Sequence, residues 1–145
     1  MKSMAYKLFL DTNIIIDYVL ERKQELEAIK ERIYLAESEK IGLFISESTI
    51  TTLFYVLQKQ KIKALPVLRV LCKIINIIPF SKEVLYLPVE KYKDIEDGLI
   101  YFLALKSKMN YFITRNVKNF TFIFPPLPVI SPTNFIKQIY LNDIS

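Results

Sequence analysis

The chain has 145 residues, 52% hydrophobic and 24% charged, with a formal net charge of +5. That balance argues against disorder and predicts a single domain over residues 1–145 with one sizeable core. Histidine is absent, and only two glycines and one cysteine are present, which removes Ser-His-Asp and Cys-His catalysis, nearly every zinc site, the P-loop and the dinucleotide-binding fingerprint.

What remains for catalysis is carboxylates with a hard, oxygen-preferring cation such as Mg²⁺ or Mn²⁺. No apolar run reaches the roughly 18 residues needed to cross a membrane. The start, MKSMAYKLFLD, turns acidic too soon for a signal peptide. The lone Cys72 sits among Val70, Leu71, Ile74 and Ile75 and reads as a core residue. It builds no disulfide framework, which fits the cytoplasm. The basic excess is compatible with a polyanionic partner.

In chain order, Tyr6 to Leu10 reads as a buried strand, and Ile14 to Leu20 as a helix entered through Thr12 or Asn13. Gln24 to Lys40 has helical apolar spacing at Leu26, Ile29, Ile33, Leu35 and Ala36, and Gly42 ends it. Leu43 to Ser46 is a second strand. A helix follows from Ser48 through Ile50, Leu53, Phe54 and Leu57, trailing into Lys59, Lys61 and Lys63, which suit a helix C-terminus. Another helix is expected over Pro66 to Ile75, then a strand over Asn76 to Pro79. Ser81 opens a helix that Pro88 stops. Asp94 to Lys108 is a strong helix, Tyr111 to Thr114 and Pro128 to Ile130 are strands, and Thr133 to Tyr140 is a last helix opened by Pro132. Short β-branched or aromatic strands separated by helices predict a mostly parallel sheet covered on both faces. In such sheets ligands bind beyond the carboxyl ends of the strands. Asp11, Ser46-Glu47 and Arg115-Asn116 all fall at such ends.

The acids have two readings each. Asp11, in LDTNIIID, either caps the following helix or holds a metal. Asp17 is expected to face solvent or the helix flank. Asp94 and Asp97 are spaced i, i+3 on one helix face, with Glu96 pointing elsewhere. Acids at a helix N-terminus commonly offset the macrodipole. The helix after Gly98 is so apolar, however, that this acid pair must lie at the core boundary, where carboxylates need a counter-charge or a metal. In YFITRNVKNF a buried strand ends in Thr114-Arg115-Asn116. The Thr and Asn oxygens there suit a cation's water or a phosphate, and Arg115 suits an acid or a phosphate.

Taken together, LDTNIIID, ISESTITTLFYVLQK, DIEDGLIYFLA, YFITRNVKNF and PVISPTNFI, in this order, resemble the PIN domain, in particular its toxin-like, VapC-type branch. The resemblance implies a three-layer α/β/α sandwich with a small, mostly parallel sheet. It implies a Mg²⁺- or Mn²⁺-dependent ribonuclease, often the toxin of a toxin–antitoxin pair and often a homodimer. The family's first acid maps onto Asp11, and its late-helix acid onto Asp97, with Asp94 one turn before. The final acidic position maps onto Asn116. The middle helix departs from the pattern: Thr52 stands where the family usually places Glu. Glu47, five residues earlier, either swings into the pocket or is an exposed residue at the helix start. On this reading Asp11, Asp94 and Asp97 are the metal ligands, and Asn116 and Glu47 complete the catalytic set. Thr12, Asn13, Thr114 and Arg115 meet the substrate.

RNA binding is expected to be mainly electrostatic, through Lys59, Lys61, Lys63, Lys91, Lys93 and Arg115. Tyr92, Tyr101 and Tyr111 are candidates for stacking on unpaired bases, although core packing is the safer reading for Tyr101 and Tyr111. A cognate antitoxin peptide would cover the acidic pocket or dock on the helices after Ser48 and Pro66, which equally suit a dimer or the core. Two rivals stand beside this reading. One is a degenerate domain that keeps the fold, loses the chemistry and binds RNA or a protein. The other is a phosphatase or DNA nuclease on a similar metal site.

Overall fold

Leu8 and Leu10 pack in one apolar cluster and Phe9 in another. This is the period-two alternation of a strand buried on both faces. That strand, β1 (Tyr6–Leu10), is the centre of a five-stranded sheet in a computed structural model that describes residues 6–20, 41–120 and 126–143. Its neighbours are β2 (Ile41–Ser46) and β4 (Tyr111–Ile113). β3 (Ile75–Ile78) and β5 (Val129–Ile130) form the two edges, giving the order β3-β2-β1-β4-β5. Every pairing is parallel, with Leu8 opposite Leu43 on one side and Tyr111 on the other.

Helices cover both faces. α1 (Thr12–Val19), α2 (Glu47–Lys59), α3 (Ala64–Leu71) and α5 (Pro132–Asp143) contribute Ile14, Ile15, Leu53, Leu57, Leu68 and Phe135 to the cluster around Leu8 and Leu10. α4 (Ile95–Lys106) and the short 3-10 turns Lys82–Tyr86 and Val89–Lys91 cover the other face. That second cluster is aromatic: Phe9 stacks on Phe112 at 5.4 Å between ring centroids, and Tyr101, Phe102 and Phe120 close around them. Burying one such ring contributes about 1.5–3 kcal/mol. The expected three-layer α/β/α architecture is therefore present.

Several local expectations are corrected. Gly42 lies inside β2 rather than ending a helix. The third helix begins at Ala64 and stops at Leu71, because Ile75 is drawn into β3. The helix that opens at Ser81 and ends before Pro88 is of 3-10 type, Lys82–Tyr86, and a second 3-10 turn, Val89–Lys91, follows the proline. Cys72 is exposed: it is the C-cap residue of α3, and Leu71 and Ile75 take the buried positions beside it. Tyr92 is buried against Tyr101 and Phe102, so it is no platform for a base. The helix expected over Gln24 to Lys40 lies outside the described residues. No helix of the described residues is long and apolar enough to cross a membrane.

Because all five strands run the same way, their carboxyl ends share one edge of the sheet. Asp11 follows β1, Glu47 follows β2, Phe80 lies two residues beyond β3, and Thr114 follows β4. The chain builds β2 and β3 on one side of β1 before crossing to β4 on the other, so β1 and β4 flank the topological switch point.

Candidate active site

At that edge lies a cavity of about 560 Å³. Its walls differ in chemistry. One is acidic, with Asp11, Asp97 and Glu96; one carries hydroxyls, with Ser46, Ser48, Thr51 and Thr52; a third is apolar, with Phe80, Leu99, Ile100 and Leu103. Thr12, Asn13 and Glu47 complete the polar lining. No nitrogen or sulfur ligand of the zinc type is present, and oxygen donors of this kind suit a hard divalent cation.

Asp11 occupies the N-cap position of α1, but its carboxylate makes no capping hydrogen bond. Instead its Oδ2 accepts a 2.9 Å bond from Thr114 Oγ1. Burial raises the Asp11 carboxyl above its ordinary range, opposed by this hydrogen bond and by the Arg115 charge. Asp97, in the first turn of α4, is pushed up to about 6 by burial and then by the charges of Asp94, Asp11 and Glu96. Two carboxylates that repel each other and resist ionisation are thus held in one cavity.

Asp94 caps α4, with Oδ1 accepting from the Glu96 amide at 2.9 Å. It is exposed and acts on the site through its charge rather than by lining the cavity. Glu96, expected to point elsewhere, lines the cavity. Among the described residues no three Asp, Glu, Cys or His side chains stand close enough together to form a metal cluster on their own. Two acids still fit Mg²⁺, which commonly takes one or two carboxylates and keeps several waters.

The hydroxyl wall is organised. Thr12 Oγ1 meets Thr49 Oγ1 at 2.8 Å, Thr49 meets Ser46 Oγ at 3.2 Å, and Ser46 meets Ser48 Oγ at 2.7 Å. This chain of hydrogen bonds ties the start of α1 to the start of α2. Thr52 Oγ1 is turned back onto Ser48 O at 3.1 Å. Glu47 is exposed, and its Oε1 accepts the Phe80 amide.

The Thr114 to Asn116 stretch behaves differently from the expectation. Thr114 is fully buried and therefore cannot meet a substrate; it holds Asp11. Arg115 pairs with Asp17 at 3.4 Å, and Asp17 is fully buried rather than solvent-facing. A carboxylate there is tolerable because a guanidinium reaches it from the β4 end. Asn116 is exposed, donates its amide to Thr114 Oγ1 at 3.1 Å and does not line the cavity. Phe80 and two members of the hydroxyl wall, Ser48 and Thr51, escaped the sequence reading, which names Ser46 and Thr52. ISESTITT does show a run of hydroxyl residues leaving a strand, and IIPF shows an aromatic just beyond another strand end.

Residues 7–118 match the PIN domain family. Over 139 residues the chain is 31% identical to Ribonuclease VapC1 of Aquifex aeolicus (strain VF5), covering 91% of this chain and 94% of that protein. The chain belongs to the PIN domain family, in its VapC-type branch. Among solved structures, a toxin-antitoxin complex from Klebsiella pneumoniae shares 25% identity at a TM-score of 0.65, covering 86% of this PIN domain chain and 97% of the other. VapBC-1 from nontypeable Haemophilus influenzae shares the fold at 23% identity and a TM-score of 0.67, covering 88% and 98%. In this PIN domain, Thr52 stands at the position where the branch's usual middle-helix acid was expected.

Proposed function

We propose that this PIN domain is a divalent-metal-dependent ribonuclease that hydrolyses single-stranded or looped RNA. In this reading it is the toxin of a type II toxin–antitoxin pair in the cytoplasm. The observation that carries the reading is the convergence of Asp11 and Asp97 in one oxygen-lined cavity at the carboxyl edge of the sheet, both carboxyls raised by burial. The likeness to a curated ribonuclease over 91% of the chain supports the same substrate class.

Asp11 and Asp97 would hold Mg²⁺ or Mn²⁺, with Asp94 adding charge from the mouth of α4. When bound, such a cation offsets negative charge building on a phosphodiester and makes water more acidic. The chain's own residues do the rest. Thr114 fixes the Asp11 carboxylate, while the Asn13 amide offers a donor to phosphate oxygens and the Thr51 and Thr52 oxygens, whose protons go to Ser48 O, accept from water. Exposed Lys59, Lys61, Lys63, Lys91 and Lys93 supply charge for the backbone beyond the cavity. Phe54, Tyr55, Leu65 and Val70, exposed on α2 and α3, offer apolar surface to an antitoxin or a second copy of the chain.

The test is Mn²⁺ binding by electron paramagnetic resonance for wild type beside Asp11→Asn and Asp97→Asn, followed by cleavage of RNA, DNA and small phosphate esters. The reading requires Mn²⁺ binding that either substitution abolishes, and cleavage of RNA alone. Absence of three converging acids among the described residues, with Thr52 in the middle-helix position, favours the second reading: a PIN domain that binds RNA or a protein without cutting. Folded protein that binds no Mn²⁺ at millimolar concentration decides for it.

A further inference from the structure

Phe80 carries a feature that the metal site does not explain. It lines the cavity shared by Asp11 and Asp97, yet its side chain is 48% exposed. Its backbone and the side chain of the next residue are each held. Phe80 N–H donates to Glu47 Oε1 at the start of α2. The adjoining Ser81 Oγ accepts from Lys106 Nζ at 2.7 Å, and both groups engage Glu83. A large ring left in water, on backbone tied to the start of α2 and next to a residue tied to α4, offers an apolar surface at the cavity. The same cavity is also lined by Leu99, Ile100 and Leu103.

We propose that Phe80 is a stacking platform for one unpaired nucleobase of the RNA, and that Glu47 is the positioning residue that holds it. The inference rests on the ribonuclease reading above. A base presents an apolar face of the ring's own size, and aromatic side chains bind unpaired bases without regard to sequence. Phe80, Asp11 and Asp97 line one cavity, so a base on Phe80 and a phosphate at the acids would share that space. On this proposal one Glu47 carboxylate oxygen serves the Phe80 amide.

The chain has no tryptophan, so Phe80→Trp supplies a sole tryptophan, excited selectively at wavelengths where tyrosine does not absorb, and keeps the stacking surface. The probe is a short single-stranded RNA of mixed sequence with a hydrolysis-resistant phosphorothioate backbone, in Mg²⁺, beside an abasic strand of the same length. Quenching by the RNA and not by the abasic strand is the expected result. Phe80→Ala and Glu47→Ala weaken RNA binding about tenfold. Glu47→Gln, whose amide oxygen still accepts the Phe80 N–H, binds RNA like wild type. Mn²⁺ binding is unchanged in all of them.

Phe80→Ala with wild-type RNA affinity overturns the proposal, and leaves the nuclease reading standing if Mn²⁺ binding and RNA cleavage persist. A change in self-association or antitoxin binding with RNA affinity intact also overturns it, making Phe80 a protein contact. Loss of Mn²⁺ binding in both Glu47→Gln and Glu47→Ala overturns the positioning role and makes Glu47 a metal ligand. Wild-type protein that binds neither Mn²⁺ nor RNA removes both readings together.

Discussion

Thr114 Oγ1 donates to Asp11 Oδ2 across 103 positions of sequence, joining the ends of two neighbouring parallel strands beneath the cavity. Both side chains are buried. Thr114→Val keeps the shape and removes the donor, leaving a buried carboxylate one hydrogen bond short. It should cost about 1.5–3 kcal/mol in urea unfolding, raise the Asp11 pKa further and weaken Mn²⁺ binding. Thr114→Ser retains the donor and should recover most of both losses.

The Asp97 carboxyl sets a pH dependence with a definite sign. Its folded value of about 6 lies above the ordinary 3.8, so between those values the metal-free native state holds a proton that the unfolded chain has released. Stability therefore falls as pH rises from about 4 to about 6. Asp11, raised in the same direction, adds to the slope. Asp97→Asn should flatten the profile and raise the melting temperature above pH ~6, with little change near pH ~4. Mn²⁺ should raise the wild-type melting temperature above pH ~6 and leave that of Asp97→Asn where it is.

Local pattern set Asp11 at a strand end and Asp97 at the core boundary but left each with a capping reading as well; the resemblance to the PIN domain joined them in one site, and a parallel sheet brings strand ends to one edge. Side-chain direction was less legible. Asp17 looks solvent-facing in its own helix, and the guanidinium that meets it, Arg115, lies nearly a hundred residues later. Tyr92 looks available until α4 folds over it. Thr114 reads as a free hydroxyl until β4 pairs with β1. Cys72 has apolar neighbours in sequence, but the helix end turns it outward. For Asp17, Tyr92 and Thr114 the deciding contact comes from another element.

The Asp17–Arg115 pair is asymmetric, and its two halves should not cost the same. The Asp17 side chain is 1% exposed and that of Arg115 20%. Arg115→Ala deprives a buried carboxylate of this guanidinium and should cost about 3–5 kcal/mol. Asp17→Asn leaves a cation that still reaches water, so the loss should be smaller, about 1–2 kcal/mol. Urea unfolding of both variants and of the double variant checks the order. Equal losses would mean that Arg115 is not the counter-charge that makes Asp17 tolerable.

Gly98 joins the site to the packing beneath it. It directly follows Asp97, inside α4, where alanine would ordinarily favour the helix by about 1 kcal/mol. Here a Cβ would stand 2.6 Å from the Val89 carbonyl oxygen and 3.1 Å from the Tyr92 ring. The carbonyl is backbone, held in the turn that Tyr92 closes through its own amide, so the helix or the turn must move. Overpacking of this kind typically costs about 1–3 kcal/mol, enough to outweigh the helix gain. Gly98→Ala should therefore lower the urea midpoint and, by displacing the first turn of α4, shift Asp97 within the cavity and weaken Mn²⁺ binding. Unchanged stability together with unchanged Mn²⁺ binding would show that α4 can back away from the Val89 turn without moving Asp97.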